Sequence, residues 1–243
     1  MSFPPFTDLQ ALASKLKANG KHAVLQKTLM QAWRAESCHG DLKQSKDCCG
    51  VLRELLGRPK ADYPPAMHTT ERALLTTAIL LYARATSTSG KAEERGSIQL
   101  ERGLLTNDQW QDHQELIGVR NQSLAHVNPA HTVGSRIWHK VMLFAVLTPG
   151  GSWRAASATN ETTFHTETLV RLERMLPVAN EIVLRKFNKR ILAVTTQLND
   201  AGIEERIFFE HQFNPVEFFG SEDIVKRLLK GSSKETDAFW VND

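Results

Sequence analysis

The stretch from Met67 to about Ser87 constrains this chain more than any other. Leu74, Leu75, Ala78, Ile79, Leu81 and Tyr82 fall at helical spacing and cover most of a helix circumference rather than one stripe. A helix apolar nearly all round must be enclosed by others, so this segment reads as the central helix of a bundle. Its uncharged run, Ala73 to Ala83, is far shorter than the ~20 residues a membrane span requires. With 41% hydrophobic and 23% charged residues in 243, the chain can bury a core, and wholesale disorder does not fit.

The remaining segments add helices around this one. Thr7-Asp8-Leu9-Gln10 has the form of a capping box and starts a helix that ends near Gly20. A second pattern runs from about His22 to Cys38 on Val24, Leu25, Leu29 and Trp33, with Gly40 as its C-cap. Asp41 to Leu56 reads as a weaker helix interrupted by Gly50, and Pro59, Pro64 and Pro65 break the chain after it. Thr106-Asn107-Asp108-Gln109 is a second capping box, opening a helix expected to stop at Asn128-Pro129. Residues 137–164 switch to strand composition around Pro149-Gly150-Gly151, which predicts a β-hairpin. A long helix follows over Thr166 to Leu198, with a kink expected at Pro177. Phe208, Phe209, Phe213, Phe218 and Phe219 suggest a short strand and an aromatic plug, and Ser221 caps a last short helix to Lys230. The expected fold class is thus mainly α, an up-and-down bundle with an inserted hairpin. Residues 1–200 form the helical domain, and 201–243 a short mixed extension packing on it.

Charge and chemistry narrow the function. The net charge of +3 hides a basic stretch at each end of residues 1–198 and a tail, 199–243, that carries −5. The segment 101–130 is itself slightly acidic, at −2. No phosphate-cradling glycine loop, nucleophile elbow or paired-histidine zinc motif is present. Cys38-His39 and Cys48-Cys49 do not make a metal site, because adjacent cysteines point opposite ways, so neither metal nor cofactor is expected. Three cysteines, the absence of a secretory leader and the short apolar runs suit a reducing cytoplasm and no membrane.

One constellation carries chemistry: Arg120-Asn121-Gln122-Ser123-Leu124-Ala125-His126, preceded by His113 and followed by Pro129. Arg-Asn, four residues and His at the end of an amphipathic helix, after a strongly apolar helix bearing Leu81-Tyr82-Ala83-Arg84, resembles the HEPN superfamily. The likeness is to its bacterial members related to abortive-infection proteins, and it covers roughly 67–130. It implies a HEPN-like bundle and a metal-independent endoribonuclease of toxin or defence type. Its catalytic residues would be Arg120, Asn121 and His126, acting in a homodimer on RNA, with an antitoxin or other defence-system protein as a further partner. Some members carry Tyr two residues after the His as a modification site; Asn128 stands there instead.

The residue types suit that chemistry. Cleavage by the 2′-OH needs a proton acceptor, a proton donor and a cation on the phosphate. Histidine titrates near ~6.5 and serves either proton role. Arginine offers a permanent charge and a two-pronged grip on phosphate oxygens. A single His126 leaves the acid–base pair incomplete, which a two-fold partner would complete. His113 and Arg84 are candidates to line the site, and Arg185, Lys186, Lys189 and Arg190 to hold RNA phosphates. The alternative is a non-catalytic HEPN module that binds nucleotide or RNA, or assembles a defence system.

Overall fold

A computed structural model describes residues 5–20, 22–59, 64–88, 95–121, 132–133, 136–137, 139–161, 166–200 and 202–230. The fold is mainly helical, and the chain divides into two compact units. One is Arg34–Lys189; the other joins Met1–Trp33 to Arg190–Asp243.

The helices are α1 (Leu9–Asn19), α2 (Ala23–Leu56), α3 (Pro65–Thr86), α4 (Asn107–Val119), α5 (Thr166–Asp200), α6 (Glu205–Phe209), α7 (Pro215–Phe219) and α8 (Glu222–Leu229). The two helices expected at 22–38 and 41–56 are one. Gly40 is not a C-cap, and α2 continues through both Gly40 and Gly50. Tertiary burial outweighs the glycine penalty of ~1 kcal/mol each. Within Arg34–Lys189, α2 buries Ala35, Cys38, Leu42, Ser45, Cys49 and Leu52, alternating steps of three and four residues. The same stepping recurs on α3 through Leu75, Ala78, Tyr82 and Ala85, and on α5 through Leu169, Leu172, Leu176, Ala179 and Val183. Such a seam favours shallow helix crossing.

Small seam residues let the backbones approach, and the Ser45 hydroxyl donates to the Ala78 carbonyl at 2.8 Å. At the rim, the Arg53 guanidinium grips Glu173 of α5 with two hydrogen bonds of 2.7 and 2.5 Å. α5 runs through Pro177, which has no N–H to offer the carbonyl of Glu173 four residues earlier.

The hairpin lies where its composition placed it, as β4 (His139–Leu147) paired with β5 (Trp153–Glu161) from His139↔Glu161 to Leu147↔Trp153. Its turn closes through Thr148, whose N–H donates to the Ser152 carbonyl at 2.9 Å. Gly151 takes φ +79°, a conformation open to glycine. A smaller pair, β2 (Thr132–Val133) with β3 (Arg136–Ile137), precedes it.

In the other unit, Leu12, Ala13, Leu16, Leu25, Leu29, Ala32 and Val194 form a separate core. Asp8, not Thr7, caps α1: its carboxylate accepts from the N–H groups of Gln10 and Ala11. Thr7 is instead in β1 (Phe6–Thr7), paired with β6 (Gln212–Phe213), and its hydroxyl donates to the Phe208 carbonyl. The aromatic plug is only partial. Phe208 packs on this core, whereas Phe209 and Phe218 are 49% and 72% exposed. The last helix, α8, starts as expected, with the Ser221 hydroxyl accepting from the Asp223 N–H, and buries Val225.

Candidate functional site

The Thr106–Gln109 capping box forms in both directions: Gln109 N–H to the Thr106 hydroxyl at 3.2 Å, and Thr106 N–H to the Gln109 side chain at 3.0 Å. This fixes the start of α4 and therefore which face meets α3. His113 and Leu116 are buried on that face. Past Val119, Arg120 keeps α-helical backbone angles, φ −58° and ψ −49°, and its N–H donates to the Leu116 and Ile117 carbonyls, which ties Arg120 to the end of α4.

Arg120 is half-buried and Asn121 exposed. Arg120 Nη1 donates to Asn121 Oδ1 at 2.8 Å. Because guanidinium has no acceptor, this bond fixes the amide orientation and leaves the Asn121 NH₂ as a donor. Both residues line an open cavity of about 230 Å³ whose other described walls are Ala83, Ser87, Thr88 and Ile117. The described lining thus joins a permanent cation, an amide and two hydroxyl-bearing residues to the apolar side chains of Ala83 and Ile117. Those groups suit a phosphate or a ribose phosphate.

Ser87 and Thr88 reach the cavity because of how α3 ends. Tyr82 of α3 meets His113 of α4, and further along Ser87 lines one cavity with Arg120 and Asn121. The two helices thus run in the same sense. The terminal carbonyls of α3 are all occupied. Ala83 accepts from the Ser87 N–H and the Thr88 hydroxyl, and Arg84 from Arg95 Nη2. Ala85 and Thr86 accept from the N–H groups of Ile98 and Leu100. This offsets the negative end of the helix dipole that would otherwise face an anion in the cavity. Ser87 and Thr88 carry no local signal that marks them; the packing of α3 beside α4 brings them to the cavity that Arg120 lines.

His126 lies outside the described residues. His113 stands away from the described cavity walls: it is 4% exposed, its Nδ1 lies 2.9 Å from the Tyr82 hydroxyl, and its ring also contacts Trp110. Burial lowers its pKa to about 4, so it is neutral at pH 7. The same burial pushes the Tyr82 hydroxyl up, so this pair is an uncharged polar contact inside the core. Arg84 pairs with Asp41 through bonds of 2.9 and 2.5 Å, and Arg95 grips the same buried carboxylate at 2.6 Å. Asp41 thereby holds the guanidinium of Arg84 rather than leaving it to a ligand, and its hydrogen bond raises the Arg84 pKa further.

Of the basic cluster on α5, Arg185 pairs with Glu181 one turn away and is exposed. Lys186 is half-buried and Lys189 exposed. Arg190, in the other compact unit, donates to the Gln31 carbonyl at 2.9 Å. Asp112, next to His113, is buried against Arg174 and Arg171 of α5, so it does not serve as a partner for Arg120. Cys38 and Cys49 are buried in the helical core and Cys48 is half-buried. Burial raises the pKa of all three thiols, that of Cys49 to about 12, which keeps them protonated. No group of metal-ligating side chains forms among the described residues, and none of their helices is long and apolar enough to cross a membrane.

No protein-family model, curated protein or solved structure matches the chain.

Proposed function

We propose that the protein is a metal-independent endoribonuclease of HEPN type, with Arg120, Asn121 and His126 as its catalytic residues. The observation that carries this reading is the meeting of the Arg120 guanidinium and the Asn121 amide in one polar cavity with Ser87 and Thr88. In this mechanism the 2′-oxygen attacks the adjacent phosphorus and the bond to the 5′-oxygen breaks. The products are a 2′,3′-cyclic phosphate and a 5′-hydroxyl. Arg120 holds the non-bridging oxygens as charge gathers on them, and Asn121 orients the phosphate through its NH₂. His126 takes the proton from the 2′-hydroxyl, and the second copy in a homodimer supplies the acid that protonates the leaving oxygen. A toxin or defence role, with an antitoxin as partner, belongs to the same proposal.

One observation favours a second reading, a non-catalytic module that binds nucleotide or RNA. His113, the other histidine of this region, is buried and neutral, so one chain offers the described cavity no titrating group from α4. A single experiment separates the two readings. The protein, Arg120→Ala and His126→Ala are incubated with single-stranded and structured RNA in EDTA. The ribonuclease reading expects cleavage by the native protein, a loss on the order of 100-fold or more in Arg120→Ala, and cyclic phosphate ends. Cleavage that survives in both variants would overturn it. Binding without cleavage, weakened in Arg120→Ala, would establish the module.

A further inference from the structure

The arginines around Asp41 outnumber their carboxylate. Arg34, Ser37, Cys38 and Asp41 stand at i, i+3, i+4 and i+7 on α2, which places them on one face of that helix. Residues 95–96 lie against this face. Arg95 donates through Nη1 to the Ser37 hydroxyl at 2.8 Å and through Nη2 to Asp41 at 2.6 Å. The Cys38 thiol donates weakly to the Gly96 carbonyl at 4.0 Å. Arg84 reaches the same carboxylate from α3. Burial raises the Cys38 pKa, and the charges of Arg95, Asp41 and Arg34 all act on that thiol, so the three share one neighbourhood.

Both oxygens of Asp41 are taken, Oδ1 by Arg84 and Oδ2 by Arg84 and Arg95. Among the described residues no other carboxylate pairs with these arginines, and Arg34 has none at all. Three guanidiniums therefore share one anion, and two positive charges stay unopposed there. Arg34 is half-buried, and its Nε is buried with no hydrogen-bond partner. Ser97, the residue after Gly96, has a buried hydroxyl that is likewise without a partner. Arg34 stands one turn, about 6 Å, along α2 from Cys38, the residue that meets Gly96. Buried donors left unsatisfied cost free energy, and an ion or a water is the usual remedy. The excess of positive charge favours an anion.

We infer that Arg34 and Ser97 form a binding site for a doubly charged phosphate group, carried by a phosphate monoester or by inorganic phosphate. The guanidinium fork matches two phosphate oxygens, and the Ser97 hydroxyl donates to a third. Arg84 and Arg95 contribute charge rather than contact, because Asp41 holds them. The charge excess selects the ligand. A phosphate monoester carries about −1.5 to −2 at pH 7, which balances the two unopposed arginines, whereas each phosphodiester of an RNA backbone carries a single charge. The site shares no described wall with the Arg120 cavity, so it does not rest on the ribonuclease reading.

Calorimetric titration of the full chain with inorganic phosphate tests this, at an ionic strength held constant with chloride. The native chain and Arg120→Ala, which removes the cation of the other cavity, are both expected to bind. Adding Arg34→Gln to Arg120→Ala should weaken binding at least ~10-fold, and adding Ser97→Ala at least ~3-fold. Circular dichroism reports that each variant keeps its helices, and Ser97→Ala carries the test should Arg34→Gln lose them. A ribonucleoside 5′-monophosphate that binds Arg120→Ala through Arg34 supports the site and identifies a terminal phosphate as its ligand. Binding of inorganic phosphate alone supports the site and identifies the free ion. RNA with 5′-hydroxyl ends is expected not to displace phosphate from Arg120→Ala, and equal displacement overturns the inference. So does binding that survives both Arg34→Gln and Ser97→Ala. Failure of Arg120→Ala to bind phosphate, the result expected if Glu93 or Glu94 neutralises the arginines instead, overturns it as well.

Discussion

At the scale of single residues, one sequence motif separates into two physical environments. Arg120 and His113 are seven residues apart on one helix, near enough to two turns to share a face. Yet His113 is locked against Tyr82 while Arg120 emerges into a polar cavity. Sequence alone registers the shared face but not the depth, because depth depends on where α3 ends. The same reason hides Ser87 and Thr88, which reach the cavity only because the end of α3 packs beside α4, whereas Arg120 and Asn121 stand out as neighbours in the chain. Burial of His113 has a measurable cost in acid. Its folded pKa of about 4 lies below its ordinary value of 6.5, so between those pH values the unfolded chain binds the extra proton. Stability therefore rises with pH across that window and falls on acidification. Urea unfolding at pH 7 and pH 5 should show a loss of about 2 kcal/mol attributable to this group. His113→Gln should be less stable at pH 7 but should lose that much less on moving to pH 5. Equal pH slopes in the two proteins would show that His113 is not a buried neutral group.

At the scale of elements, the start of α4, the hairpin and the long helix α5 were all readable, because capping residues, turn residues and sustained periodicity act locally. α2 was not. Gly40 and Gly50 read as punctuation, yet the seam from Ala35 to Leu52 steps over both, and their local cost is overruled by packing on α3 and α5. The cap of α1 was misplaced by one residue for a similar reason. Thr7 has the right side chain, but strand pairing with β6 claims its backbone. The glycines of α2 now make a prediction. A methyl group built on either meets nothing within 4 Å. Gly40→Ala and Gly50→Ala should each stabilise the protein by about 0.5–1 kcal/mol, read as a rise in unfolding midpoint. A fall in midpoint for both would mean that α2 is not continuous at these positions.

At the scale of the whole molecule, the slightly acidic segment that carries Arg120 and Asn121 is flanked in sequence by two basic ones, so the net charge of +3 describes no single surface. Two separate cores hold the described residues, one in each compact unit. Local stability should vary accordingly, and the end of α3 marks where. Ile98 and Leu100 belong to no helix or strand, yet both are buried and their amides are donated to the Ala85 and Thr86 carbonyls. In hydrogen–deuterium exchange these two amides should be retained within about tenfold as long as those of Leu75 and Ile79. The adjacent turn Arg102–Leu104, with no buried residue, should exchange at least ~100-fold faster. Rapid exchange at Ile98 and Leu100 would refute that. Slow exchange would identify an irregular strap that opens only when the helix beneath it does, so the wall of the cavity that holds Ser87 and Thr88 would persist for as long as the core itself.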